Sequence, residues 1–479
     1  MSKIDYITLS AEMQQSITTE QAWHYYIVPK SVDEDKMIFY ADEEKLNSAL
    51  SDELEMIFGK TIQIVPSTPE LINKTLGKYY RLTYKNKRAE TVSFDDTNSE
   101  DFVYKLIVEA DSLGSSDIHI EKYEDRARVR LRIDGKLIEK YVIPANDYPS
   151  LVNKLKIKAN LDIAEKRLPQ DGRITFKSAR NKFDIRVSLL PTLHGEKIVM
   201  RLLSKDTTDI DINTLGFDAK QLHDYLEGIK KPNGIILISG PTGSGKTTTL
   251  YATLKILNEE KTNLITIEDP IEYTLEGINQ VQLKEDIGLT FASALRSFLR
   301  QDPDVIMLGE IRDGETAQMA IRAALTGHLV LSTIHTNSAW GTISRMVDMG
   351  VPSYLLANTL SLSVAQRLVR LLCPNCKEKK EFDTTLFPSS YKAPRIVEQH
   401  YTPVGCEQCF YTGYKGRKAV YEVIPIDYEL SECIKNEKFN VRDELKVKQI
   451  NQLMDNAFEL FEKGETSIDE VYAMLMSNY

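Results

Sequence analysis

A glycine-rich segment that contains one lysine is the part of the sequence best suited to chemistry. Residues 240–247 read Gly-Pro-Thr-Gly-Ser-Gly-Lys-Thr and match the phosphate-loop pattern G-x-x-x-x-G-K-[ST]. In such a loop backbone N–H groups surround phosphate oxygens, the lysine reaches the β and γ phosphates, and the last hydroxyl holds Mg²⁺. The alternative is a glycine-rich turn that fits by chance. The predicted nucleotide-binding residues are Gly240, Pro241, Thr242, Gly243, Ser244, Gly245, Lys246, Thr247 and Thr248, with Thr247 as the Mg²⁺ ligand.

The residues around this loop have the pattern of a strand followed by a helix. Residues 235–238 form a short β-branched apolar run, as expected of a strand buried on both faces, and a helical stretch follows the loop. From residue 234 onward, strand and helix patterns alternate, which predicts a parallel sheet.

Acidic residues follow two further predicted strands of this sheet. Glu268 and Asp269 come after residues 264–267, and Glu310 comes after residues 305–308. Because the carboxyl ends of parallel strands line the crevice where a ligand binds, these carboxylates are candidates to hold a metal and to orient the attacking water. The alternative for each is a structural role.

Basic residues follow in the same region. Arg296 and Arg300 are four apart on a predicted helix at 290–300, so they share a face and suit stabilisation of phosphate charge. A solvated basic face is the alternative. His335 follows a fourth predicted strand, which favours a place near phosphate over a core histidine.

Four of the five cysteines form two C-x₂-C pairs. Four thiolates make a closed tetrahedral zinc site, which is structural and not catalytic. The alternative is four buried free thiols. The predicted zinc ligands are Cys373, Cys376, Cys406 and Cys409.

Length and composition exclude several classes of protein. The 479 residues suggest about three domains, and 60 basic against 70 acidic residues give a net charge of −10, which lends no support to nucleic-acid binding. Five cysteines exclude a disulfide-dense secreted scaffold. No apolar run approaches the ~20 residues that span a bilayer, so we expect a cytosolic protein that contacts membranes only through partners.

The residues before the parallel sheet predict two smaller units. Up to residue 80 the patterns predict strands at 36–40 and 61–65 and helices at 42–50 and 68–80, with Thr68 as N-cap; residues 81–100 read as a linker. The next unit, 101–205, reads as an α+β domain: residues 128–133 and 183–187 alternate as strands, Asp134-Gly135 marks a turn, and helices are expected at 102–113 and 148–160.

The order of these motifs resembles the secretion ATPases that drive type II secretion and type IV pilus assembly. The resemblance covers nearly the whole chain and rests also on residues 116–121, 167–173, 267–273, 299–304, 309–313 and 325–337. It implies an α/β fold: a RecA-like P-loop motor domain with a preceding α+β, PAS-like domain, a small N-terminal α/β recruitment domain and a zinc-binding insertion in the motor domain. The implied boundaries are 1–80, a linker at 81–100, 101–205, a connector at 206–218, and 219–479 with a zinc module at 370–415.

The resemblance also implies roles for single residues. Glu268 lies in the aspartate box as candidate general base, Glu310 lies in an atypical Walker B motif and serves the metal through water, and His335 ends the histidine box. The roles of the two glutamates are exchangeable. Family arginines of the second domain reach the phosphates, for which Arg167, Arg173 and Arg186 are the candidates.

The implied activity is that of a Mg²⁺-dependent, ATP-hydrolysing homohexamer, peripheral to the inner membrane, which drives pilus or pseudopilus assembly through a membrane platform. ATP would lie between the second domain and the motor domain, and the N-terminal unit would dock on the platform. Two alternatives are a nucleic-acid translocase and a nucleotide-gated scaffold without turnover. The sequence does not separate type II secretion from pilus assembly or DNA uptake.

Overall fold

The structure is a computed structural model that describes residues 6–10, 13–14, 16–33, 35–43, 46, 50–80, 90–91, 99–177, 182–203 and 211–476. The chain forms two units, Met1–Glu90 and Thr91–Tyr479. Most of the predicted linker at 81–100 and the first part of the connector at 206–218 lie outside the described residues. Within the described ranges, no helix combines the length and the apolar character needed to cross a membrane.

The first unit is a small α/β layer. Its elements are α1 (Thr19–Tyr25), β1 (Ile27–Val32), β2 (Lys36–Asp42), α2 (Leu50–Phe58), β3 (Thr61–Ser67) and α3 (Pro69–Tyr79). Strand β2 pairs antiparallel with β1 and parallel with β3. Phe39, Leu54 and Leu76 are fully buried between sheet and helices. The strands predicted at 36–40 and 61–65 are confirmed, as is the helix that begins after Thr68.

The helix predicted at 42–50 is wrong in its position. Asp42 ends β2, and the helix begins at Leu50; residues 44–45 and 47–49 lie outside the described residues. Leu50 and Leu54 are buried four positions apart on one helix face, while Asp52 and Glu53 occupy the first turn, where carboxylates favour the helix dipole. The position of the helix therefore follows the spacing of the buried residues Leu50 and Leu54, and not the acidic residues that precede them.

A two-residue strand, β4 (Glu90–Thr91), lies at the boundary of the two units. An antiparallel sheet opens the second unit, with the elements α4 (Ser99–Ser112), β5 (Asp117–Lys122), β6 (Arg126–Ile133), β7 (Lys136–Pro144), α5 (Tyr148–Lys158), β8 (Gln170–Lys177), β9 (Lys182–Thr192) and β10 (Gly195–Leu203). From β7 the strand order is β7-β6-β5-β10-β9-β8. Apolar residues of alternate strand positions pack with α4 and α5, which confirms the predicted α+β arrangement. The other positions carry charge: Glu121 lies opposite Arg128 and forms an ion pair with Arg130 at 2.8 Å.

A second sheet carries the phosphate loop. Its strands are β11 (Gly234–Ser239), β12 (Leu264–Glu268), β13 (Asn279–Gln282), β14 (Val305–Leu308), β15 (Leu329–Ile334), β16 (Leu360–Leu372) and β19 (Tyr414–Pro425). The order is β13-β12-β14-β15-β11-β16-β19, parallel except for the antiparallel pair β16–β19. The first helices are α6 (Ala219–Ile229), α7 (Lys246–Leu257), α8 (Phe291–Phe298), α9 (Gly314–Leu325), α10 (Gly341–Asp348) and α11 (Ser353–Thr359). After β19 come α12 (Tyr428–Lys435), α13 (Arg442–Val447), α14 (Leu453–Glu462) and α15 (Ile468–Leu475), and β17 (Glu378–Glu381) pairs with β18 (Gln399–Thr402).

Helices cover both faces of this sheet. Along β11, Ile235 and Leu237 belong to one buried cluster, whereas Ile236 and Ile238 belong to another. Consecutive strand residues point to opposite faces, so every residue of β11 is buried. The predicted strand buried on both sides is therefore confirmed, and it fixes the phosphate loop on a rigid support.

Candidate functional site

Four parallel strands end at one edge of the sheet, and each delivers a candidate functional residue there. The phosphate loop follows β11, Glu268 is the last residue of β12, Glu310 comes two residues after β14, and His335 directly follows β15. The strands β12, β14, β15 and β11 are neighbours in this order. The carboxyl edge of the sheet is therefore where the predicted site is assembled.

The glycines of the phosphate loop have the conformations that the loop requires. Gly240, Gly243 and Gly245 have φ of 153°, 81° and 87°. A Cβ on Gly240 would lie 2.5 Å from the carbonyl oxygen of Gln366, whereas a Cβ on Gly243 would meet no atom within 4 Å. The loop is thus packed on its inner side and open on its outer side, where a phosphate group can approach the backbone.

The ammonium group of Lys246 closes the loop on itself. Its Nζ donates to the carbonyl oxygens of Gly240 at 2.7 Å and Pro241 at 3.1 Å. Burial lowers the pKa of Lys246, and the nearby carboxylate of Glu310 opposes that shift. A phosphate would offer this half-buried cation a stronger partner than two neutral carbonyls. The hydroxyl of Ser244 is also buried in the loop and has no hydrogen-bond partner among the described residues, and Thr247 is exposed at the start of α7. The residues present therefore fit a nucleotide with Mg²⁺.

Gln366 on β16 supports the loop from behind. Its Nε2 donates to the carbonyl oxygen of Ser244 at 2.8 Å, and its Oε1 accepts from the Thr249 hydroxyl at 2.9 Å. Arg367 donates to the carbonyl oxygens of Gln366 and Asn337, which joins the phosphate loop to the segment after His335. Neither residue belongs to a sequence motif, so neither was predicted. Only their position on the strand beside β11 reveals the role.

Glu310 and His335 lie together beside the phosphate-loop lysine. The imidazole Nε2 of His335 is 3.3 Å from Glu310 Oε2, and Arg312 donates to the other oxygen. Glu310 also interacts electrostatically with Lys246. The structure therefore joins Lys246, Glu310 and His335 in one polar group, with Arg312 as a member that the sequence analysis had not singled out.

Glu268 has a different environment. It is 4% exposed, and its carboxylate accepts hydrogen bonds from Tyr251, from Thr266 at 2.7 Å and from Gln280 at 3.0 Å. Tyr251 lies on α7, the helix that begins with Lys246. A carboxylate held by three donors is fixed in orientation. No motif marked Tyr251 or Gln280; the only signal was that Tyr251 is on the helix that follows the loop.

The candidate arginines are spread over several places. Arg186 on β9 donates to the carbonyl oxygen of Ile271 and lies 3.6 Å from the Glu272 carboxylate, so it contacts the loop after Glu268. Arg173 pairs with Asp184 within its own sheet, and the exposed Arg167 lies beside Glu165. Arg296 pairs with Glu315 at 2.8 Å, with both side chains more than half exposed. Among the predicted arginines, the structure brings Arg186 into contact with a candidate catalytic segment.

The four paired cysteines meet at the tip of the β16–β19 hairpin. Their sulfur atoms all lie within 4.8 Å of one another. The distances are 3.9 Å for Cys373–Cys406, 3.7 Å for Cys376–Cys409 and 3.8 Å for Cys406–Cys409. A tetrahedral zinc with Zn–S bonds of about 2.3 Å places its sulfurs about 3.8 Å apart.

Backbone amides support this cluster. The N–H groups of Gly405, Cys406 and Gly413 point at sulfur atoms at 3.1–3.3 Å. Such donors stabilise thiolate ligands. The donor set and spacing fit a structural zinc ion, as the sequence predicts.

Known proteins that resemble this chain belong to secretion and pilus systems. A family model described as "Type II/IV secretion system protein" matches residues 93–473. The type II secretion system ATPase E of Vibrio cholerae is 40% identical over 464 residues, which cover 94% of this chain and 92% of that protein. The type IV pilus assembly ATPase PilB of Myxococcus xanthus is 45% identical over 410 residues, covering 80% of this chain and 72% of that one.

A solved structure supports the same fold. The ATPase DotB of Legionella pneumophila aligns with a TM-score of 0.62 at 22% identity and covers 82% of this chain and 98% of that one. This likeness concerns the fold alone. Together with the flanked parallel sheet and the cysteine cluster, it confirms the predicted α/β fold class.

Proposed function

This chain belongs to the family of type II/IV secretion system proteins and is an ATPase of the kind that powers secretion or pilus assembly, and we propose that it works as a Mg²⁺-dependent homohexamer. In this proposal ATP hydrolysis drives an inner-membrane platform of the secretion or pilus machine, at whose surface the ATPase sits. The observation that carries the proposal is the group of Lys246, Glu310 and His335 at the mouth of an open phosphate loop.

The residues of the site divide the work of phosphoryl transfer. The loop amides and Lys246 bind the terminal phosphates, and Lys246 neutralises charge that develops there. Mg²⁺, when bound, neutralises phosphate charge; Thr247 would hold it directly and Glu310 through water. Glu268 would orient and deprotonate the attacking water, which is the task of a general base. Arg173, Arg186 and Arg296 would supply further positive charge when subunits or domains move.

The domain division also belongs to this proposal. Residues 1–80 would form the recruitment domain, 101–205 the second domain and 219–479 the motor domain, with the zinc module at 370–415. The first unit would contact the platform, and membrane contact would be made through that partner alone. We do not assign a nucleic acid as substrate or ligand.

Replacing the two glutamates one at a time tests the chemical roles. Glu268→Gln should lower kcat by about 10²–10⁴-fold, the range typical of losing general acid–base catalysis, while Mg·ATP binding stays intact. Glu310→Gln should instead raise the Mg²⁺ concentration needed for half-maximal rate. Steady-state ATPase assays across a Mg²⁺ series, with nucleotide binding measured by fluorescence, distinguish the two.

A matched control is Glu259→Gln, which changes an exposed carboxylate that pairs with Lys261 after α7. It should behave as wild type. The opposite assignment would hold if Glu268→Gln kept full turnover while Glu310→Gln lost turnover at unchanged Mg²⁺ dependence. Glu310 would then be the general base and Glu268 the residue that serves Mg²⁺.

A further inference from the structure

A buried tyrosine connects the candidate base to the second domain. The hydroxyl of Tyr251 donates to Glu268, and its oxygen accepts from the backbone N–H of Glu272 at 3.3 Å. Because the Glu272 amide supplies a proton to the tyrosine oxygen, the tyrosine's own proton is directed at the carboxylate. The hydrogen-bond geometry thus fixes which group Tyr251 serves.

The loop that supplies this amide is itself held by the neighbouring strand and by the second domain. Ile271 N donates to Gln282 at 3.0 Å, and Leu275 N donates to Gln280 at 2.7 Å. Gln280 is also a donor to Glu268. From the other side, Arg186 of β9 contacts the Ile271 carbonyl and the Glu272 carboxylate.

We propose that Tyr251 is a positioning residue for the Glu268 carboxylate and that Glu272 links it to Arg186 of the second domain. The inference rests on the proposed role of Glu268 as base. When Arg186 holds the loop, the amide of Glu272 holds Tyr251, and Tyr251 holds the base in one orientation. Movement of the second domain that withdraws Arg186 frees the loop and loosens this orientation. The Tyr251 hydroxyl group thereby couples ATP turnover to the position of the second domain.

Several groups face the Glu268 carboxylate. Tyr251 on α7, Thr266 on β12 and Gln280 on β13 donate to it, and Tyr273 approaches from the loop. Burial and the charge of Glu268 raise the pKa of Tyr251, so the tyrosine stays protonated and remains a donor.

Tyr251→Phe in the full-length protein tests the proposal. The expected result is a kcat lower by about 10- to 100-fold, the scale of one hydrogen bond to a charged group, with the KM for ATP changed by less than about twofold. The loss should fall on kcat and not on KM, because the hydroxyl orients the carboxylate that acts on water and does not bind the nucleotide. Thr266→Val removes another donor from the same carboxylate and should lower kcat in the same way.

The matched control is Tyr225→Phe. The Tyr225 hydroxyl on α6 is also buried, forms a hydrogen bond with the Thr253 hydroxyl of α7 at 2.7 Å, and makes no hydrogen bond to Glu268. This control should leave kcat unchanged even where it lowers thermal stability.

Glu268→Gln separates failure of the inference from failure of the proposed role. If Glu268→Gln lowers kcat as expected but neither Tyr251→Phe nor Thr266→Val changes kcat, the positioning role is wrong and the base assignment stands. If Glu268→Gln keeps full turnover, the base assignment itself is wrong and the positioning role falls with it.

Discussion

We expect Lys246→Ala to abolish ATP hydrolysis, with kcat at least about 10³-fold below that of the wild type. The scale is that of removing one preorganised donor from developing negative charge, and the lysine also supplies a full positive charge. In the structure the Lys246 ammonium group donates to the carbonyl oxygens of Gly240 and Pro241. Its loss also removes the cation that would pair with phosphate. A coupled phosphate-release assay measures the effect.

The matched control for this prediction is Lys255→Ala, which makes the same substitution in the last turn of the same helix. It should retain turnover. Wild-type ATPase rates in Lys246→Ala would contradict the assignment of the phosphate loop as the catalytic nucleotide site.

Replacing Cys373 and Cys406 together with serine is expected to remove the zinc ion and to melt the tip of the β16–β19 hairpin. Structural zinc contributes about 10–16 kcal/mol of apparent binding free energy in small zinc domains, and two lost thiolates remove most of it. Metal analysis of the purified protein should fall from one zinc per chain to none, and the thermal midpoint should fall with it.

Cys433→Ser is the control, because this cysteine lies on α12 outside the cluster. The variant should keep its zinc. A wild-type protein purified without zinc and unaffected by chelators would overturn the metal site.

The sequence predicted the elements whose pattern is local. The apolar run at 235–238 is continuous, and each acidic residue lies beside its own strand in the sequence, Glu268 at the end of β12 and Glu310 two residues after β14. Parallel strands necessarily bring their carboxyl ends to one edge of the sheet. The cysteine pairs were likewise predictable, since metal-ligand spacing is a short-range signal. Lys246, Glu310 and His335 therefore meet where the sequence suggests.

The residues that support the site depend on tertiary neighbours and were missed. Gln366 is 122 positions from the Ser244 carbonyl that it holds, and Arg367 is 30 positions from the Asn337 carbonyl. Nothing in their local pattern differs from an ordinary strand residue. The helix predicted at 42–50 was misplaced as well, because the buried face that defines the observed helix is formed by Leu50 and Leu54, which lie at and beyond the end of the predicted range.

Strand β16 runs without interruption from Gln366, behind the phosphate loop, to the residue before Cys373. Its ladder with β19 runs from the glutamine that supports Ser244 to Arg370 and, after a register shift, ends at Leu372 and Tyr414, so fraying at the metal end would propagate along this ladder toward Gln366. Depletion of zinc is therefore expected to weaken ATP binding before it unfolds the parallel sheet. The affinity for the nucleotide would then depend on the supply of the structural metal.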